Sequence, residues 1–240
     1  MTVLAILADG ARELGLELSQ EQLERFERYS DVLTDWAERV SLTAVRDEEG
    51  IQRRHFLESA AIVAVLQERD LTLEDASLVD VGSGAGIPGV PLKILVPSLR
   101  LTVVEVKQRK AEFLHALLSE LGLFDVTIVT RRAEEAARDL RLREQYDFAV
   151  AKALAPLRTL LELTLPFLRM GGVVIAPKGR TAEEEVKEAR VALEMLHASV
   201  RAVEPLPLAD PAQNVILVDK VLPTPERFPR RPGVPAKRPL

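Results

Sequence analysis

The chain is 240 residues long, 47% hydrophobic and 29% charged, with a formal net charge of −5; this suits one large α/β domain with an extension and gives no global basic field. It has no cysteine and only three scattered histidines, at 55, 115 and 197, so disulfides, thiolate nucleophiles and cysteine zinc sites are excluded and no metal is expected. No stretch is apolar for long enough to cross a bilayer and no basic-then-apolar leader opens the sequence, so a soluble cytoplasmic protein without a membrane partner is expected.

Residues 1–17 read as a short amphipathic helix with Val3, Leu4, Ile6 and Leu7 on its apolar side. Ser19 then has the character of an N-cap, and Gln22 three residues on completes a capping box. Leu23, Phe26, Leu33, Trp36 and Val40 recur at helical spacing and read as packing core. Ser41-Leu42-Thr43-Ala44-Val45 ends that helix, and a further helical stretch runs from about Glu48 to Gln67. Near its start stand Arg53, Arg54 and His55, where cations oppose the helix dipole; an anionic ligand or plain solvation explains them equally well.

From Ser77 the pattern changes to strand, helix, strand, helix. Residues 78–89 read LVDVGSGAGIPG: a strand, a tight turn at Gly82, Gly84 and Gly86, then a helix opening near Pro88. Such a helix start suits a carboxylate or phosphate. Gly84, Gly86 and Gly89 also fit the dinucleotide spacing G-x-G-x-x-G, a weak signal alone. Asp80 leads into the loop as D-x-G-x-G-x-G, and 77 residues precede the strand, which favours S-adenosylmethionine with its cationic amino group. The second strand, Leu101–Val106, contains Glu105, 21 residues beyond Gly84, where doubly wound folds place an acid on ribose hydroxyls. Lys107, Arg109 and Lys110 follow, then a helical apolar stripe ending at Gly122.

A third strand, Val126–Val129, leads to Ala133 and Glu134. Glu134 is a candidate acceptor for an adenine amino group or, equally, an ordinary helix-starting acid. Phe148–Ala151 reads as the fourth strand, with Lys152 directly after it at the edge where open α/β sheets hold ligands. Leu157–Leu165 is a helix, Val173–Ala176 the fifth strand, and Pro177-Lys178-Gly179 its exit. Residues 181–197 form a charged helix, and strands near 199–205 and 215–221 close the sheet as an antiparallel pair. From Glu226 onward five basic residues face one acid, a net +4 that leaves −9 on the rest. With six prolines from Pro223 onward, this tail is expected to be extended, and either contacts nucleic acid or is merely solvated.

Together these segments resemble the glucose-inhibited division protein B family, also called ribosomal RNA small-subunit methyltransferase G. The resemblance rests on SLTAV (41–45), RRHFLES (53–59), DVGSGAGIPGVPLKI (80–94), RAE (132–134), AVAKALAPL (149–157), PKG (177–179) and RRPGVPAKRPL (230–240), and covers nearly the whole chain. It implies an α/β, Rossmann-like class I S-adenosylmethionine-dependent methyltransferase with a seven-stranded, mostly parallel sheet and helices on both faces. Residues 1–70 are expected as a helical extension packed on the core, 71–225 as the catalytic domain, and 226–240 as a basic tail.

The implied reaction is methylation of guanine N7 at position 527 of 16S ribosomal RNA, by a monomer whose partner is that RNA or the small ribosomal subunit. The resemblance groups Asp80, Gly82, Ser83, Gly84, Gly86 and Ile87 around the cofactor, with Glu105 on its ribose, Val106 and Lys107 beside it, and Ala133 and Glu134 on the adenine side. The family usually carries arginine where this chain has Lys152, which keeps the charge and loses the bidentate fork. Lys152 is expected on both cofactor and substrate, joined by Lys178, Arg54 and His55 in positioning RNA, with no general base and with the tail covering or guiding the substrate. The competing readings are an NAD-dependent oxidoreductase on the same fold and a non-enzymatic RNA-binding protein.

Overall fold

A computed structural model describes residues 4–240, so Val3 of the first predicted helix lies outside the described residues. Seven strands form one sheet: β1 (Ser77–Val81), β2 (Arg100–Val104), β3 (Thr127–Val129), β4 (Tyr146–Val150), β5 (Leu168–Lys178), β6 (Ala198–Leu206) and β7 (Gln213–Lys220). Their order is β3-β2-β1-β4-β5-β7-β6. The first five are parallel, while β7 runs antiparallel to both β5 and β6. The chain leaves β1 for β2 on one side and later returns as β4 on the other, which opens a crevice at their carboxyl ends.

Side-chain alternation along the strands feeds a core on each face. Leu78, Phe148, Val150, Val173 and Ile175 face one core, and Val79, Val81, Ala149, Val174 and Ala176 the other. The first is covered by α1 (Ala5–Glu13), α2 (Gln20–Ala37), α3 (Glu48–Ile51), α4 (Glu58–Glu68), α5 (Gly89–Leu95) and α6 (Gln108–Glu120). The second is covered by α7 (Ala133–Ala136), α8 (Leu157–Thr164), α9 (Ala182–Glu188) and α10 (Arg190–Met195). The stretch 181–197, read as one helix, forms two, Ala182–Glu188 and Arg190–Met195, that meet at Ala189. Among the described residues no helix is long and apolar enough to cross a membrane.

The N-terminal helices share the first core with the sheet. Ser19 Oγ accepts from the Gln22 amide and Gln22 Oε1 from the Ser19 amide, which is the expected capping box. Gln22 Nε2 also donates to the carbonyls of Ile94 and Leu95, tying α2 to the end of α5. Phe26 and Tyr29 pack on Phe56, and Trp36 meets Phe113 edge-on at 5.8 Å.

The tail departs from the extended expectation. Phe228 is buried in the second core, and α11 (Val234–Lys237) adds one helical turn with Pro235 near its start, where a missing N–H costs nothing. Arg230 grips the fully buried Glu162 carboxylate through Nε and Nη2, and its backbone N–H donates to the same group. Arg143 and Arg138 donate to the carbonyls of Phe228 and Pro229, replacing the ladder bonds that proline denies the segment. Glu162→Ala is expected to lower unfolding free energy by roughly 3–5 kcal/mol, because the tail loses its buried partner, and Glu162→Gln by less. Urea denaturation measures it; a loss below about 1 kcal/mol would mean that Phe228 alone docks the tail.

Candidate active site

The glycine loop is held from beneath by Asp80. Its Oδ2 accepts from Ser83 Oγ at 2.8 Å and from the Gly89 amide at 3.0 Å. A Cβ at Gly89 would lie 2.7 Å from that oxygen, so only glycine admits the contact. Gly86, at φ +84°, comes under the Tyr29 hydroxyl, which donates to the Ala85 carbonyl at 2.6 Å. The N-terminal helices thus reach the loop, a link with no signal in the sequence. The Gly89 amide, at the start of α5, is already taken by the protein's own carboxylate, so it is not available to the phosphate that the sequence reading allowed.

Asp80 is fully buried, its second oxygen has no partner among the described residues, and its pKa is raised to about 6. Burial is the main cause, opposed by Ser83 and Gly89 and reinforced by the nearby Glu105 charge. Glu105 is also buried; its Oε2 accepts from the Gly84 amide at 3.0 Å and its Oε1 from the Lys107 amide at 2.7 Å. Two buried carboxylates therefore border the loop, with the Lys110 ammonium over Gly84 from the α6 side. An orphaned acidic oxygen and two neighbouring negative charges fit a cationic ligand group better than a pyrophosphate.

The remaining candidates at this edge are spread along it. Gly82 and Ser83 donate their amides to the Val104 carbonyl, and Ile87 is half-buried against the first core. Val106 and the Lys107 side chain are exposed at the end of β2. Ala133 opens α7 half-buried, while the Glu134 side chain accepts from the Gly233 amide at 2.8 Å and so holds the tail. Asp80, turned under the loop, reaches the crevice through its field and its hold on Ser83 rather than through an open face.

Beside the loop lies a cavity of about 550 Å³ that gathers Arg54, His55, Lys152 and Lys178, all four predicted substrate residues, with Glu58 and Glu185. Sheet register explains the meeting. Asp80 pairs with Val150, so Gly82 and Lys152, each two residues further, emerge side by side. Leu154 links the two regions, since it lines the cavity and its Cδ1 would lie 2.6 Å from a Cβ on Gly82.

Arg54 and His55 belong to a π-helical turn, Gln52–Leu57, inserted between α3 and α4, so they sit inside a continuous helical run and not at its start. His55 Nδ1 lies 2.9 Å from the Arg54 carbonyl, which can only accept, so Nδ1 carries the proton. Nε2 then accepts from the Thr43 hydroxyl at 2.9 Å. Burial and the Lys152 charge lower the His55 pKa to about 4, so the ring is neutral at pH 7. Arg54 is exposed and has no carboxylate partner among the described residues. Lys152 Nζ donates to the Arg54 carbonyl and pairs with Glu58. Lys178 Nζ donates to the Ala155 carbonyl at 2.7 Å and pairs with Glu185 at 2.8 Å. Thr43, Glu58, Leu154 and Glu185 escape sequence reasoning, since their only signal is membership of the 41–45, 53–59 and 149–157 segments or, for Glu185, of a charged helix.

A mostly parallel sheet with this strand order, an acid-led glycine loop on β1 and an acid just past β2 define the Rossmann-like class I S-adenosylmethionine-dependent methyltransferases. A solved structure described as a SAM-dependent methyltransferase from Aquifex aeolicus shares the fold, with a TM-score of 0.50 and 18% identity over 65% of this chain and 88% of that one. Residues 22–216 match the family described as rRNA small subunit methyltransferase G, and the chain belongs to that family. Among curated relatives named ribosomal RNA small subunit methyltransferase G, one from Roseiflexus sp. strain RS-1 is 48% identical over 98% of this chain and 99% of its own. Another from Alkaliphilus metalliredigens strain QYMF is 38% identical over 98% of both.

The Asp80 shift sets a pH dependence. Between about pH 4 and 6 the folded protein keeps a proton that the unfolded chain has lost, so stability is full at the acid end and falls as pH rises. Asp80→Asn removes this loss, so from pH 4 to pH 7 the variant should gain on the wild type by up to about 3 kcal/mol. Parallel urea titrations at both pH values test it; a constant difference would show that Asp80 titrates normally.

Proposed function

We propose that this protein transfers the methyl group of S-adenosylmethionine to N7 of a guanine in 16S ribosomal RNA, position 527, on the small ribosomal subunit or its RNA. Membership of the family supports this reaction over an NAD-dependent oxidoreductase or a non-catalytic RNA binder. The observation that carries it is the pairing of an acid-bordered glycine loop with a cavity in which each candidate base is held by a hydrogen bond or an ion pair. His55 is neutral with both nitrogens hydrogen-bonded, and Glu58 and Glu185 are each paired with a lysine. Guanine N7 has an in-plane lone pair and no proton, so its methylation requires no base.

When bound, S-adenosylmethionine would supply an electrophilic methyl carbon, with its sulfur as the leaving group that keeps the bonding pair. The chain's own residues do the positioning, which is worth on the order of 7–11 kcal/mol for well-oriented reactants. Gly82, Ser83, Gly84, Gly86 and Ile87 form the cradle, with Asp80 and Glu105 supplying the negative field and Glu105, beside Val106 and Lys107, facing the ribose. The Ala133 backbone and the tail-bound Glu134 border the adenine side. Arg54 holds RNA phosphate, Lys178 fixes the 153–157 loop beside it, His55 holds the π-turn, and Lys152 joins the two halves. The exposed tail cations Arg231, Lys237 and Arg238 extend the RNA contact, whereas Arg230 is spent on Glu162. We assign the protein to the cytoplasm as a monomer.

Calorimetric titration should show binding of S-adenosylhomocysteine and none of NAD; the reverse would overturn the assignment. Mapping N7-methylguanine in 16S rRNA from cells with and without the gene should show one mark lost. Arg54→Ala should leave S-adenosylhomocysteine affinity unchanged, lower methyl transfer roughly 10-fold, and reduce the slope of log affinity for RNA against log salt by about 1. Loss of cofactor affinity instead would contradict this division of labour.

A further inference from the structure

We propose that Glu58 and Lys152 together read the Watson–Crick edge of the target guanine, an inference that rests on the activity proposed above. Glu58 opens α4 and is 6% exposed, on a helix whose next residues, Ser59 to Leu66, are all buried. An ionised carboxylate in such surroundings is costly unless it is fully used. Yet only its Oε2 is engaged, by Lys152, and its Oε1 accepts no hydrogen bond among the described residues. Lys152 Nζ has three protons and donates to two acceptors, the Arg54 carbonyl and Glu58. Both residues line the cavity, so the pair offers it one acceptor and one donor side by side.

Guanine presents the complementary order along one edge: O6 accepts, N1–H and N2–H2 donate. Enzymes that work on a base taken out of its stack read it through hydrogen bonds to that edge. With Lys152 on O6, N1–H on the second lone pair of Glu58 Oε2 and N2–H2 on the free Oε1, all three groups are satisfied. Adenine offers the opposite order, an amino donor toward the lysine and a lone pair toward the carboxylate, and is repelled twice. N7 lies on the other edge of the ring. Reading guanine from its Watson–Crick side therefore leaves the N7 lone pair free, whereas a protein donor on N7 would block the reaction.

The second lysine–carboxylate pair of the cavity also has an unused proton and an unused oxygen, but its carboxylate is less buried than Glu58 and it is anchored to a loop. Glu185 Oε2 accepts from Lys178 and also from the Leu157 amide at 2.7 Å, while Lys178 holds the Ala155 carbonyl, so that pair fixes the 153–157 loop. Register also favours Lys152, which emerges beside Gly82, whereas Lys178 sits one strand further from the loop.

The test uses the full-length protein on reconstituted small subunits carrying guanosine or inosine at the target position. Inosine keeps N7, O6 and N1–H and lacks only the 2-amino group. Wild-type kcat/KM is expected to fall about 10-fold or more on inosine, the worth of a hydrogen bond to a charged group. Glu58→Gln should lower the rate on guanosine by a similar factor and bring the guanosine-to-inosine ratio close to one. Lys152→Gln should slow both substrates alike and keep the wild-type ratio, since both bases carry O6. S-adenosylhomocysteine affinity, measured in parallel, should stay at the wild-type value in folded Glu58→Gln; if that variant does not fold, Glu58→Asp replaces it and should shrink the ratio. A wild-type protein indifferent to inosine, or a Glu58 variant that keeps the wild-type ratio, would overturn the assignment. Absence of N7 methylation on the guanosine substrate would sink the proposed activity itself, a result distinct from methylation with an unchanged ratio.

Discussion

One carboxylate oxygen of Asp80 closes the glycine loop, and the rest of the site is arranged around that closure. By accepting from Ser83 and Gly89 at once, it ties the exit of β1 to the first residue of α5. The group is buried with its other oxygen unpartnered, a cost the fold sustains because the loop is clamped again by Tyr29 on Ala85 and by Glu105 on Gly84. The same contact occupies the helix-start amide that a dinucleotide fold would offer to pyrophosphate and leaves a negative field instead. The choice of ligand class is thus made by what the loop's own acid has already taken.

Three of the stretches that line the cavity beside it meet at the crevice. Thr43 orients His55, the π-turn presents Arg54, and Lys152 reaches across from β4 to the Arg54 carbonyl and Glu58. The parity of β4 dictates this direction, since Val150 faces the first core and Lys152, two residues on, continues on the same side. The single Lys152 ammonium spans two acceptors that lie on the same helical run, which suits a compact point charge. The neutral His55 follows from the same crowding, because a second cation next to Lys152 in a buried setting is disfavoured.

The tail contributes in two different ways. Arg230 and Phe228 are consumed in docking it over α8, and the Gly233 amide donates to the Glu134 carboxylate in α7. Arg227, Arg231, Lys237 and Arg238 stay exposed. Net charge on a segment therefore overstates what is available to a polyanion, since part of it is neutralised by buried acids from elsewhere in the chain.

Period-two alternation, glycine spacing and a capping box are local signals, and they sufficed for the sheet, the glycine turn after β1, the Ser19 cap and the placement of Glu105 beside that turn. Family motifs added Lys152, Lys178, Arg54 and His55, which the fold brings into one cavity. Strand ends shifted by one to five residues, and residues 182–195 divided at Ala189, because boundaries depend on packing against neighbours. What only the tertiary structure decided are the pairings between distant stretches: Tyr29 on the loop, Glu58 with Lys152, Glu162 with Arg230, and Glu134 with the tail. No periodicity encodes these, since each joins residues 56 to 99 positions apart whose meeting is fixed by strand order and register, and burial then sets which of their charges persist.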